Sequence, residues 1–126
     1  MNIFKYYLRC SLKRIVRLLK VVGDENRLRI LKLLQTRDMC VCEIQHILGL
    51  SQPAVSHHLR TLSNQGLVDS TKEGLFINYR LALDRLPEGE RKILQCILES
   101  LMGSEQVERD RDLALKITRE EVTGKK

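Results

Sequence analysis

The sequence predicts a mainly α fold with a small β element (α+β): about five helices and one two-stranded hairpin. Three observations predict it. Apolar residues recur at helical spacing in five separate stretches. Gly49 and Gly66 close two short helices that follow one another almost directly. Two alternating runs flank Glu73-Gly74, a hairpin turn signal, between the fourth and fifth helices. At 126 residues, 43% of them hydrophobic, the chain has the size of one domain and enough apolar material for a core. Aromatics make up 4% and tryptophan is absent, so Leu, Ile and Val must build that core.

The first helix runs from Ile3 to Val22. Leu8, Leu12, Ile15, Leu19 and Val22 recur at steps of four and three, with Phe4 extending the row. That is a heptad-like seam, suited to a dimer or core contact. Cys10 lies about 200° round from Leu8 at 100° per residue, among Tyr6, Lys13, Arg14 and Arg17. It reads either as a solvent-facing thiol or as a thiolate stabilised by nearby cations. Gly23 breaks the helix, and Asp24 caps a second, which runs to about Thr36 and is apolar over much of its circumference.

After the polar link Thr36 to Asp38, a third helix runs from about Cys40 to Leu48, with Val41, Ile44 and Leu48 toward the core. Ser51 caps a fourth, with Pro53 in the first turn, where proline is tolerated. Ala54, Val55, His58, Leu59 and Leu62 share one face of it; Gln52, Ser56, His57 and Arg60 share the other. Two helices joined by a tight turn, the second with such a polar face, predict a helix-turn-helix. His58 is read as a packed, hydrogen-bonded core residue. The strands Leu67 to Lys72 and Leu75 to Leu81 then stand where a wing is expected. A fifth helix follows Pro87, with Leu94, Ile97, Leu98 and Leu101 on one stripe. Residues 1–102 are expected to form a winged helix-turn-helix domain whose first and fifth helices make a dimer interface. Residues 103–126 are expected to be a charged tail, a frayed helix or disordered, although Leu113, Leu115 and Ile117 would suit a helical extension.

The chain carries 22 basic and 16 acidic residues, a formal charge of +6. The whole surplus sits in the first twenty residues, which hold Lys5, Arg9, Lys13, Arg14, Arg17 and Lys20 and no acid. Such a balance favours a polyanionic partner. No apolar run reaches the roughly 18 residues of a spanning helix, and the N-terminus lacks the uninterrupted apolar core of a signal peptide. A packed helix is favoured there over a membrane-surface or transit role. Four cysteines without an export signal read as reduced thiols in the cytoplasm. No phosphate loop or carboxylate constellation suggests an enzyme, and the two adjacent histidines face different ways.

The stretches ENRLRILKLL, CVCEIQHILGLSQPAVSHHLRTLSNQGLV and KEGLFINYRL, covering about Gly23 to Leu81, resemble the ArsR/SmtB family of winged-helix repressors. The resemblance implies a homodimer that sets two recognition helices in successive major grooves of an inverted-repeat operator in double-stranded DNA. It also implies an inducer that lowers operator affinity. Gln52 can pair bidentately with adenine, Ser56 and His57 can use base edges, and Arg60 can reach guanine or phosphate. Lys72 can contact a flanking phosphate. The wing departs from strong phosphate clamping: Lys72 is followed by Glu73, with Leu75 and Phe76 beyond the turn.

The CVC motif resembles the soft-metal site of the family's arsenite and cadmium/lead sensors. Cys40 and Cys42 offer soft donors for As(III), the best match to the pattern, or for Cd(II), Pb(II), Zn(II) or Cu(I). No permanent cofactor is implied. Cys40 stands where a helix prefers Ser, Thr or Asp as its cap, with Glu43 at the capping-box position. In an ideal helix residues i and i+2 point about 200° apart, so the two sulfurs share an ion only if the helix start is irregular. The plain alternative is a pair of buried, unreactive thiols. Gln45 occupies the place where the arsenite pattern can supply a third cysteine, which leaves Cys10 or Cys96 as third-ligand candidates; His46 reads as a surface residue. Other members bind zinc on the fifth helix through His and carboxylates, but this fifth helix has no histidine. Two further readings stand beside the metal sensor. One is a thiol-redox or persulfide-responsive repressor in which Cys40 or Cys42 links to Cys96. The other is a winged-helix interaction module without DNA binding.

Overall fold

A computed structural model of the chain describes residues 3–117 and 121–122, with side chains from residue 12 onward. Helix α1 spans Ile3–Val22 and α2 spans Glu25–Thr36. Between them, Asp24 adopts an extended conformation and its Oδ1 accepts from the Arg27 backbone N–H at 3.0 Å, the expected cap. A two-residue strand β1, Met39–Cys40, leads directly into α3, Val41–Leu48. Gly49 ends α3 at φ 71°, in the left-handed region that a side chain rarely tolerates. That single residue sets the tight turn into α4, Gln52–Asn64, capped by Ser51 Oγ on the Ala54 N–H at 3.3 Å.

Strands β2, Val68–Glu73, and β3, Phe76–Leu81, form the hairpin. The sheet has three antiparallel strands in the order β1-β3-β2, because β1 pairs Met39 with Tyr79 and Cys40 with Asn78. The alternating runs predict two of these strands, β2 and β3. The third strand is too short for any alternating pattern to reveal it. Helix α5 spans Glu88–Glu99 and a sixth helix, α6, spans Glu105–Lys116.

Helix α6 occupies the start of the stretch expected as a charged tail. It packs against α2 and α3 and buries Val107, Asp110 and Ala114. Its inward stripe has an acid in the middle. Asp110 is held there by a bidentate pair with Arg29 at 2.8 and 3.0 Å. Both side chains are nearly buried, and the hydrogen bonds that Arg29 donates to Asp110 raise the Arg29 pKa above its ordinary value. The fold therefore continues past residue 102. Residues 118–120 and 123–126 lie outside the described residues.

Ile30, Leu31 and Leu33 of α2, Ile44 of α3, and Val55, Leu59 and Leu62 of α4 meet Leu18 of α1 and Leu94 and Leu98 of α5 in one core. On α1 and α5 the apolar stripes divide between core and surface. On α1 the core takes Leu18 and Val22, while Leu12 (68% exposed) and Leu19 (49%) of the heptad-like row face outward with Val16. Phe4, Leu8 and Cys10 have side chains outside the described residues. On α5 the stripe enters the core of the chain, fully at Leu94 and Leu98 and partly at Ile97 and Leu101. Arg14 of α1 fastens the start of α5 by a bidentate pair with buried Glu90 at 2.9 and 3.0 Å. Among the described residues no helix is long and apolar enough to cross a membrane.

Candidate functional site

The polar face of α4 is as the wheel placed it. Gln52, His57 and Arg60 are exposed and Ser56 is partly so. Gln52 Nε2 donates to Ser56 Oγ at 2.8 Å, one helical turn on. The two groups thus satisfy each other. His57 is anchored through its backbone, whose carbonyl accepts from Thr61 Oγ1 at 3.1 Å, leaving the ring outward. His58 turns inward, half-buried, with its Nδ1 3.3 Å from Arg27 Nη1. A guanidinium can only donate, so this contact selects the tautomer with the proton on Nε2. Burial pushes the His58 pKa below its ordinary value; Asp24 opposes that shift, and Arg27 and His57 add to it.

The wing root is electrostatically occupied. Asp69 binds Arg80 and Arg85, both at 2.9 Å. Lys72 is exposed on β2, opposite Ile77. Glu73 hydrogen-bonds Asn78. Leu75 (86% exposed) and Ile77 (49%) make the wing tip apolar.

The thiols come together because Cys40 is not helical. It closes β1 and caps α3 at φ −85° and ψ 166°. Its side chain therefore escapes the 200° separation of an ideal helix and turns toward Cys42 in the first turn. The Cα atoms are 5.5 Å apart and the sulfurs are bonded to each other. Cys96 is a separate, exposed thiol, so the partner of Cys40 here is Cys42, where the redox alternative had expected Cys96. Reduced, the pair presents two soft donors from one side of the helix start, a fit for a thiophilic ion. Among the described residues, no group of three or more His, Cys, Asp or Glu could hold a metal, so Cys96 and His46 are not brought to the pair.

Glu43 completes the helix start. Its Oε1 accepts from the Cys40 backbone N–H at 3.0 Å, the capping-box half that the sequence spacing had predicted. Its Oε2 lies 2.7 Å from Arg37 Nη1. Arg37 also donates through Nη2 to the carbonyls of Ala114 and Ile117, at the end of α6, at 3.2 and 3.4 Å. Sequence reasoning passed over Arg37 as part of a polar link. Its only signal was a lone cation close before an acid that has to cap a buried helix start.

An open cleft of about 280 Å³ adjoins the thiols. Cys40, Val41, Cys42 and Gln45 line one side, Leu75, Phe76 and Ile77 of the wing another, and Gln52 the rim. The wing tip, the sulfur pair and the first residue of α4 thus share one small space. The apolar wing tip had signalled weak phosphate clamping; nothing in the sequence had shown that it faces the cysteines.

The model of the bacterial regulatory protein arsR family matches residues 24–70. The cadmium resistance transcriptional regulatory protein CadC of Listeria innocua is 44% identical over 61 residues, 48% of this chain and 51% of that protein. The chain thus spans about half the length of that relative. The arsenical resistance operon repressor of Escherichia coli is 38% identical over 80 residues, 63% of this chain and 68% of that one. Among solved structures, reduced HlyU from Vibrio cholerae superposes with a TM-score of 0.64 at 31% identity, covering 78% of this chain and 98% of that one. A homodimeric winged helix-turn-helix DNA-binding domain, Mb0332 from Mycobacterium bovis, gives 0.61 at 26% identity, covering 80% and 89%.

Proposed function

The chain belongs to the arsR family of bacterial regulatory proteins, winged helix-turn-helix transcription regulators and not enzymes; from that premise we propose a homodimeric repressor released from an inverted-repeat operator when a soft metal or metalloid, arsenite first, binds Cys40 and Cys42. The observation that carries this reading is the juxtaposition of the two sulfurs at the β1–α3 junction, beside the first residue of α4. Similarity to arsenical and cadmium resistance regulators supports the class of inducer.

Each part of the site has a task. Gln52, Ser56, His57 and Arg60 read or touch the major groove, and Lys72 meets a flanking phosphate. Cys40 belongs to a strand paired with β3 and to the cap of α3. An ion that spreads the two sulfurs therefore pulls on the wing and on α3 together. Helix α3 packs on α4, so the pull reaches the reading face. A coupling of about 1–3 kcal/mol gives a 5–150-fold loss of affinity. Dimerisation is assigned to α1 and α5. Leu12, Val16 and Leu19 of α1 supply an exposed apolar row, and α5 is joined to α1 through Arg14 and Glu90. The cytoplasm is the compartment in which this pair stays reduced.

The test is anisotropy of the reduced protein on DNA from upstream of its own gene, titrated anaerobically with arsenite. Release that disappears in Cys40→Ser/Cys42→Ser supports the sensor. Binding unaffected by arsenite redirects the assignment to Cd(II), Pb(II) and Zn(II). The bonded sulfurs favour one second reading, a redox-responsive repressor switched by a Cys40–Cys42 disulfide. There, diamide shifts DNA affinity without metal, Cys40→Ser abolishes the shift, and Cys96→Ser leaves it intact.

A further inference from the structure

We propose that Arg37 is a positioning residue that makes α6 part of the inducer response: it joins the end of α6 to the carboxylate that holds the backbone of Cys40. This inference rests on the reading of Cys40 and Cys42 as the inducer site, and it adds to that site a helix from the far end of the chain. The contacts form one continuous path. The Cys40 backbone N–H donates to Glu43 Oε1 at 3.0 Å. Glu43 Oε2 lies 2.7 Å from Arg37 Nη1. Arg37 Nη2 donates to the carbonyls of Ala114 and Ile117 at 3.2 and 3.4 Å.

Each link is suited to pass on a displacement. The Glu43 side chain is only 4% exposed. A buried carboxylate that loses a donor cannot turn to water instead, so the loss is costly. The carboxylate therefore moves with Cys40, and its pair with Arg37 must move or break. The guanidinium is a rigid planar fork, so one side of it cannot shift while the other stays. Its Nη1 serves Glu43 and the Asp38 carbonyl; its Nη2 serves α6.

The end of α6 is where the loss is felt. The last carbonyls of a helix have no donor within the helix, and a cation there also meets the negative end of the helix dipole. Withdrawing Arg37 loosens that last turn. The middle of α6 has its own anchor. Asp110 is paired with Arg29 of α2 and accepts from Gln106 Nε2 at 2.9 Å, contacts that the path from Cys40 does not include. A shift at the thiols is thus read at the end of α6, with the middle as an internal reference.

The experiment follows amide hydrogen exchange of the reduced full chain by NMR, with and without arsenite. Changes along a coupling path are worth about 2–30-fold. In native protein arsenite is expected to speed exchange at residues 113–117 by about that factor and to leave residues 108–110 unchanged. An Arg37 that merely stabilises the fold gives arsenite no effect there. In Arg37→Met, residues 113–117 are expected to exchange faster from the start and to ignore arsenite. Arg37→Lys is the milder change: it keeps the charge facing Glu43, but one compact ammonium replaces the fork. It is expected to lose the arsenite response at residues 113–117 as well. A response that persists in Arg37→Lys overturns the role of the fork. Arsenite that alters exchange in α3 of native protein but not at residues 113–117 overturns the proposal and leaves the sensor reading standing. Arsenite that alters exchange nowhere and releases no DNA overturns both.

Discussion

His58 sits one position from a residue assigned to DNA yet performs a different task. Its imidazole is held neutral by partial burial and accepts from Arg27. A histidine whose folded pKa is lowered takes up fewer protons folded than unfolded. Its contribution to stability is complete above the ordinary value of about 6.5 and is lost as pH falls from there through the lowered folded value. Thermal unfolding followed across pH 7.5 to 5 is expected to show falling stability over about that window, and His58→Gln to flatten that slope. Glu43 makes a comparable point. Its type was legible from capping-box spacing, but its second oxygen reaches Arg37, and through it α6. Glu43→Gln keeps the shape and loses the charge. The buried cap then loses part of a charge-assisted pair, and destabilisation of about 1–3 kcal/mol is expected in urea unfolding.

At the scale of elements, α4 was the most legible. Its cap, its early proline and its two faces are all written within thirteen residues, and the structure places them as read. Gln52→Ala is expected to cost about 1–3 kcal/mol at one base pair of the operator and to relax preference there, measured by competition with substituted duplexes. Helix α6 was the least legible. Its inward positions Val107, Asp110 and Ala114 follow helical spacing, but the middle one is an acid. Hydrophobic patterning cannot register a buried carboxylate whose partner, Arg29, lies 81 residues away in sequence. Breaking such a pair leaves a charge buried without its partner. Asp110→Ala is therefore expected to destabilise by about 3–5 kcal/mol in chemical denaturation. Helix α1 falls between these cases. Its apolar arc is broad enough to hold two adjacent stripes, and the sequence does not say which one faces the chain's own core.

For the whole molecule, the exposed stripe is the more informative one. Leu12, Val16 and Leu19 are expected to meet the same residues of a second copy. Leu12→Glu/Leu19→Glu should give a monomer by sedimentation velocity without loss of helical signal. It should also lower operator affinity more steeply than one recognition helix alone explains, because linked half-sites bind as one. The central helices and the hairpin were readable because Asp24, Gly49, Ser51 and the turn at Gly74 mark their ends locally. The clustering of the thiols, Gln52 and the wing tip was not, because it depends on a two-residue strand.

That strand also constrains how such a protein can change over time. Met39 and Cys40 are paired with Tyr79 and Asn78, and β2 is paired with the same β3 from Val68 to Glu73. A single inserted residue in β3 between these pairs would turn its side chains to the opposite face and carry Cys40 out of register. The position of Cys40 therefore depends on the number of residues in β3. An insertion at the Gly74 turn, beyond the last pair Glu73–Phe76, leaves the register of both strand pairs and the place of Cys40 unchanged.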